Sequence, residues 1–139
     1  MERLKALARF LPELERPGFT AGEMRGGDEI EPNVFSMPFA SHGDVVHSLV
    51  EAAYQHGWVL KDFDCPEWAQ SDEAARLRDD QKAIDIASEE QLARLLTVCI
   101  RQDRFVEGAL LHAFESGLIL RIVRRAAALV DGSVAPPPA

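Results

Sequence analysis

The spacing of apolar residues between Ile100 and Arg125 constrains this chain more than any other feature. The stretch reads IRQDRFVEGALLHAFESGLILRIVRR. With Glu107 set at zero and a turn of about 100° per residue, Arg104, Gly108, Leu111, His112 and Glu115 fall within the next roughly 140°. Phe105, Val106, Ala109, Leu110, Ala113 and Phe114 fill most of the other side. An apolar side opposite one carrying both signs of charge and a histidine is the pattern of a helix laid on a core. Ser116-Gly117-Leu118 ends it, since glycine accepts the left-handed backbone that closes a helix. A second apolar run, Leu118 to Val130, places Leu118, Ile122 and Leu129 on one side, with Arg121, Arg124 and Arg125 offset. Two consecutive core helices are expected.

The preceding sequence adds further helices. Leu4, Leu7, Phe10, Leu11 and Leu14 follow helical spacing over Met1 to Leu14, with Pro12 marking an early end. Ser41 to His56 reads as a second helix, capped by Ser41 and closed by Gly57. Helix returns from about Glu67 to Arg78, and 79 to 87 is a connector. Ser88-Glu89-Glu90-Gln91 is a capping box that opens a helix through Leu92, Leu95, Leu96 and Cys99. Between the first two helices, Phe19 to Met24 and Val34 to Phe39 pair as an antiparallel hairpin, with Arg25-Gly26-Gly27-Asp28 in the connection. Pro32 and Pro38 weaken both ends of its second strand. The expected fold is mainly α (α+β): a single-domain helical bundle with a small β-hairpin. The globular domain spans 1–131 and a disordered proline-rich tail spans 132–139.

A chain of 139 residues can bury most of its apolar surface without metal or disulfide staples. Cys65 and Cys99 stand too far apart for a C-x-x-C or zinc-finger pattern, so both are expected reduced and buried. The net charge of −8 is concentrated: between 41 and 91, four basic residues face twelve acidic ones. That argues against general nucleic-acid binding, which draws its affinity from lysine and arginine against phosphate. No window approaches the roughly 18 apolar residues of a membrane span. Charges run through MERLKALARF, unlike a secretory signal, so a cytoplasmic location is expected.

Two blocks carry a resemblance. They are His56-Gly57-Trp58-Val59-Leu60-Lys61-Asp62-Phe63-Asp64-Cys65-Pro66-Glu67-Trp68, and Arg101-Gln102-Asp103-Arg104-Phe105-Val106-Glu107-Gly108 with Ala113-Phe114-Glu115-Ser116-Gly117. With Phe10-Leu11-Pro12 and Pro17-Gly18-Phe19, the chain from about 4 to 130 resembles a family of small bacterial proteins known only as a domain of unknown function. The resemblance implies a self-contained bacterial domain and supplies no activity, cofactor or catalytic residue.

The sequence carries no phosphate loop, dinucleotide fingerprint, H-E-x-x-H or G-x-S-x-G. His42, His47 and His56 fall on different sides of any helix through them, so neither a metal site nor a cofactor is expected. Arg101, Arg104, Glu107, His112 and Glu115 form one candidate binding face, joined by Asp103. Carboxylates and a histidine there could do acid–base work, with the arginines holding an anion. Glu107 and Glu115 lie about 12 Å apart along a helix axis, too far for a shared-proton dyad, so the arginines equally fit a structural network with them. Trp58, Asp64 and Trp68 form the other candidate, a recognition surface for a partner protein; the same residues also fit core anchors and a helix cap. Three functional readings follow: a non-catalytic protein-binding or adaptor module, a small enzyme using the Arg104–Glu107–His112–Glu115 face, and an acidic inhibitor of a nucleic-acid-binding protein. The first is the leading expectation. A protein partner is expected, and neither direct nucleic-acid binding nor membrane association is.

Overall fold

Two helices, α7 (Glu89–Gln102) and α9 (Leu118–Val134), organise the packing of the chain. The computed structural model describes residues 2–37, 39–103 and 106–134, with the backbone alone for Phe39, Gln81 and 132–134. In α7, Leu92, Ala93 and every position from Leu95 to Ile100 are buried, so this helix is enclosed on almost all sides. The Ser88 capping box opens it as the sequence indicates: Ser88 Oγ accepts from the Gln91 amide, and Gln91 Oε1 accepts from the Ser88 amide. In α9, Ile119, Ile122, Val123 and Ala126 are fully buried, the period of a one-sided stripe. That stripe packs on α1 (Glu2–Ala8), α2 (Leu11–Leu14), α6 (Gln81–Asp85), α7 and α8 (Ala109–Glu115). The helix runs on to Val134, past position 131, and 135–139 lie outside the described residues.

Several expected helices are divided. The first breaks at Arg9-Phe10 into α1 and α2, with Phe10 buried in the core. The helix expected over 67–78 is α4 (Cys65–Ala69) and α5 (Asp72–Asp79), because Asp64 and Ser71 each cap a separate start. The 79–87 connector contains α6, which Asp80 caps through the Lys82 amide. Helix α3 (Asp44–Gln55) has Gly43 as its N-cap with no side-chain cap. Ser41 lies instead in a strand, so its expected capping role is corrected. Gly57 closes α3 at φ 78°, with the Trp58 amide returning to the Ala53 carbonyl at 2.9 Å.

The hairpin is longer than expected and differently paired. Strand β1 (Gly22–Arg25) pairs antiparallel with β4 (Phe39–His42), not with 34–39. Nested inside it, β2 (Glu29–Glu31) pairs with β3 (Val34–Phe35). Gly26 and Gly27, at φ 85° and 76°, join the two ribbons, a backbone that side-chain-bearing residues resist. At the tip, Pro32 presets φ and Asn33 accepts φ 65°, so the proline makes the turn rather than ending a strand. Pro38 lies outside the described residues. The product is a two-stranded arm over 22–42 on a helical body, a small α+β domain with mainly helical structure.

Candidate functional site

The charged face expected along 101–115 is broken at its middle. Helix α7 stops at Gln102, Gly108 turns at φ 86°, and α8 starts only at Ala109. Glu107 therefore precedes the helix that carries His112 and Glu115. Arg104 lies outside the described residues. Asp103 accepts the Leu110 amide at 3.2 Å and so serves the open amino end of α8. Glu107 is exposed and accepts the Ala40 amide of β4 at 2.5 Å. His112 lines a hollow with Arg78, Gln102 and Arg121, while Glu115 lines another with Phe19, Thr20 and Gly22. Glu107, His112 and Glu115 thus face different neighbours.

Arg101 turns the opposite way, toward the chain between Leu60 and Cys65. Its guanidinium donates to the Leu60 carbonyl, to the Phe63 carbonyl at 3.3 Å and to Cys65 Sγ at 3.4 Å. Other arginines behave alike: Arg3 reaches the Gly57 carbonyl, Arg78 the Ala69 carbonyl and Arg125 the Ala87 carbonyl. These carbonyls end helices or sit in tight loops, where main-chain acceptors lack helical partners. The expected pairing of Arg101 with Glu107 and Glu115 is not formed: among the described residues Arg101 holds backbone oxygens and a thiol, and Glu107 takes the Ala40 amide.

Trp58 and Trp68 are separated in role. Trp58 is fully buried, its indole N–H donating to the Arg3 carbonyl at 2.7 Å while the Arg3 guanidinium lies 4.8 Å from its ring centre. Arg3 in turn meets Glu89 and Glu90 at 2.9 Å each, which staples α1 onto the start of α7. Trp68 is half-buried, packs its ring 5.8 Å from Phe63 and donates to Glu73 at 3.3 Å. Asp64 accepts the Glu67 amide at 3.0 Å and caps α4. Glu73 also meets Arg94 at 3.2 Å; burial opposes its charge, but hydrogen bonds from Gln91 and Trp68 and the Arg94 charge outweigh it and lower the carboxyl's pKa.

Sequence reading missed three features. Thr97, buried in α7, accepts the Leu60 amide at 3.1 Å and faces the carbonyls of Trp58 at 3.0 Å and Ala93 at 2.7 Å. A cleft of about 490 Å³ opens between α4 and α7, walled by Phe63, Pro66, Ala69 and Val98 with Cys65 and Arg101. Finally, the arm holds most of the exposed apolar bulk. Of eight large apolar side chains exposed among the described residues, five are Met24, Ile30, Val34, Phe35 and Met37.

The cysteines are both unpaired; Cys99 is buried, which pushes its thiol up to about 12, whereas Cys65 is only half-buried. His42 and His47 do approach, with ring centres 6.0 Å apart, although His42 is on a strand. Among the described residues, no group of three or more His, Cys, Asp or Glu is placed to hold a metal ion. Nor is any helix there long and apolar enough to cross a membrane.

These features define a small α+β domain in which many polar side chains hold its own loops, with exposed apolar side chains on the arm and an apolar cleft between α4 and α7 among the described residues. The chain belongs to a family of unknown function (DUF6508), whose model matches residues 1–132. No curated protein and no solved structure matches it.

Proposed function

We propose that the protein is a non-catalytic protein-binding module of the bacterial cytoplasm, and that the arm over 22–42 is its contact element. One observation carries the reading. Ile30 is 66% exposed, Phe35 60% and Met37 82%, all within a few residues of one another on the arm. Large apolar side chains gathered in this way raise the free energy of the isolated protein in water and lower it in a complex. The enzyme reading has less support, because Glu107, His112 and Glu115 face different neighbours. Affinity capture from cell lysate with the wild type and with an Ile30→Asp/Phe35→Asp variant tests the proposal. A protein retained by the first and lost by the second, with equal melting temperatures, is the expected result. Identical retention by both would remove the arm from consideration.

A second reading draws on the same projection. Asp28, Glu29 and Glu31 are exposed on the arm, and over 41–91 twelve acidic residues face four basic ones, so a partner's complementary face is basic, as required of a nucleic-acid-binding protein under inhibition by an acidic one. Exposed charge attraction is screened over about 8 Å at physiological ionic strength, so such binding weakens steeply as salt rises. Salt-independent affinity for a captured partner would exclude it.

A further inference from the structure

We propose that the cleft between α4 and α7 binds a small organic anion, its apolar body against Phe63, Pro66, Ala69 and Val98 and its carboxylate head on Arg101. The volume, about 490 Å³, is that of a small-molecule site; such sites run from about 300 to 1,000 Å³ and combine apolar walls with a few fixed polar groups. The walls come from α4, α7 and the chain just before α4, and the two helices are held independently of any ligand. Asp64 caps α4 through the Glu67 amide, and α7 is buried along most of its length.

Charge decides what kind of head the cleft takes. Arg101 is half-buried, and its contacts are neutral: the carbonyls of Leu60 and Phe63 and the thiol of Cys65. Among the described residues no carboxylate forms an ion pair with it. A guanidinium has five N–H donors, so these contacts leave donors over. A partly desolvated cation without a counter-charge favours an anion, and a carboxylate matches the guanidinium fork. Asp64 is the one acidic residue in the lining; it is exposed to water, and one of its oxygens is taken by the Glu67 amide. Water screens its repulsion more than it screens the attraction of the half-buried Arg101.

Cys65 supplies the readout. It lines the cleft, whereas Cys99 is buried with its thiol pushed up to about 12, so iodoacetamide alkylation at neutral pH followed by mass spectrometry reports on Cys65 alone. The probes are 4-phenylbutyrate and the uncharged 4-phenylbutan-1-ol, which share a body and differ in the head. At about ten times its dissociation constant a ligand leaves about one site in eleven open, so alkylation of Cys65 slows about tenfold. Saturable protection by phenylbutyrate, with the alcohol much weaker, is expected. Ala69→Trp, which adds bulk to the cleft from the α4 side, should abolish saturable protection by phenylbutyrate, and Arg101→Gln should make acid and alcohol equivalent. Should Arg101→Gln fail to fold, the comparison of acid with alcohol on the wild type still decides. Equal protection by both probes overturns the assignment to Arg101, and no protection at millimolar acid overturns the site.

Discussion

Met24 and Ala40, opposite each other across β1 and β4, rest on two consecutive residues of the loop before α8. Ala40 donates its amide to Glu107, and Met24 Sδ lies so close to Gly108 that a Cβ there would stand 2.9 Å from it. The root of the arm is thus docked on the loop between α7 and α8. The carboxylate also occupies an N–H on the β4 edge, a group that would otherwise invite another strand.

Glu107 therefore serves as an anchor, and its substitution should cost little. Glu107→Gln keeps an acceptor within reach of Ala40, and both groups are open to water, so the loss should be about 0–1 kcal/mol. Glu107→Ala should leave the helical core unchanged but speed hydrogen exchange at the Ala40 amide. Amide exchange followed by NMR checks this, and an unaltered Ala40 rate would show that the contact is not maintained in solution.

Thr97 should be far less tolerant. Thr97→Val preserves shape but leaves the Leu60 amide and the Trp58 carbonyl without their buried hydroxyl. An unsatisfied buried polar group costs about 1–3 kcal/mol, and Thr97→Ser, which keeps the hydroxyl, should lose less. Urea denaturation of the two variants gives the comparison; equal losses would place the effect in the methyl group rather than the hydrogen bonds.

These cases show what the sequence could and could not convey. The Ser88 capping box and the Gly117 turn were legible because each motif is complete within a few neighbouring residues. The charged wheel over 104–115 was not a reliable guide, because periodicity alone does not register that Gly108 adopts φ 86°. A glycine inside an apolar pattern fits either a helix interior or a turn. The hairpin was recognisable from its turn residues, but its pairing depended on Gly26-Gly27, which spaces two ribbons rather than closing one. Trp58 read as a core anchor somewhat more than as a contact, and it is an anchor: it lies in the core, with its indole N–H taken by the carbonyl of Arg3, 55 residues away in sequence. The cleft was least legible, since α4 and α7 meet only in the folded chain.

Acid should weaken the fold partly through Glu73. Its carboxyl titrates below its ordinary 4.5 in the folded protein, so the folded state binds its proton less readily than the unfolded state does. The stabilisation is complete above that ordinary value and disappears as pH falls through the lower folded value. Glu73→Gln should therefore destabilise the protein at pH 7 and flatten the decline of melting temperature below about pH 4.5. Melts of both proteins across that range check it; parallel curves would assign the acid sensitivity to other carboxylates.

Gly117 and Gly108 share a left-handed backbone, at φ 85° and 86°, but not their surroundings. Nothing lies within 4 Å of a Cβ built on Gly117, so Gly117→Ala pays only for its backbone, about 1–2 kcal/mol. At Gly108 the same strain is joined by the clash with Met24, so Gly108→Ala should cost more. The excess should vanish when Met24→Ala is added, whereas Met24→Ala should leave the cost of Gly117→Ala unchanged. Neighbouring sites couple by about 0.5–3 kcal/mol and distant ones add, so chemical denaturation of the two cycles measures the contact between arm and loop directly. Additivity in the Met24–Gly108 pair would mean that Met24 swings away without penalty and that Glu107 alone holds the root of the arm.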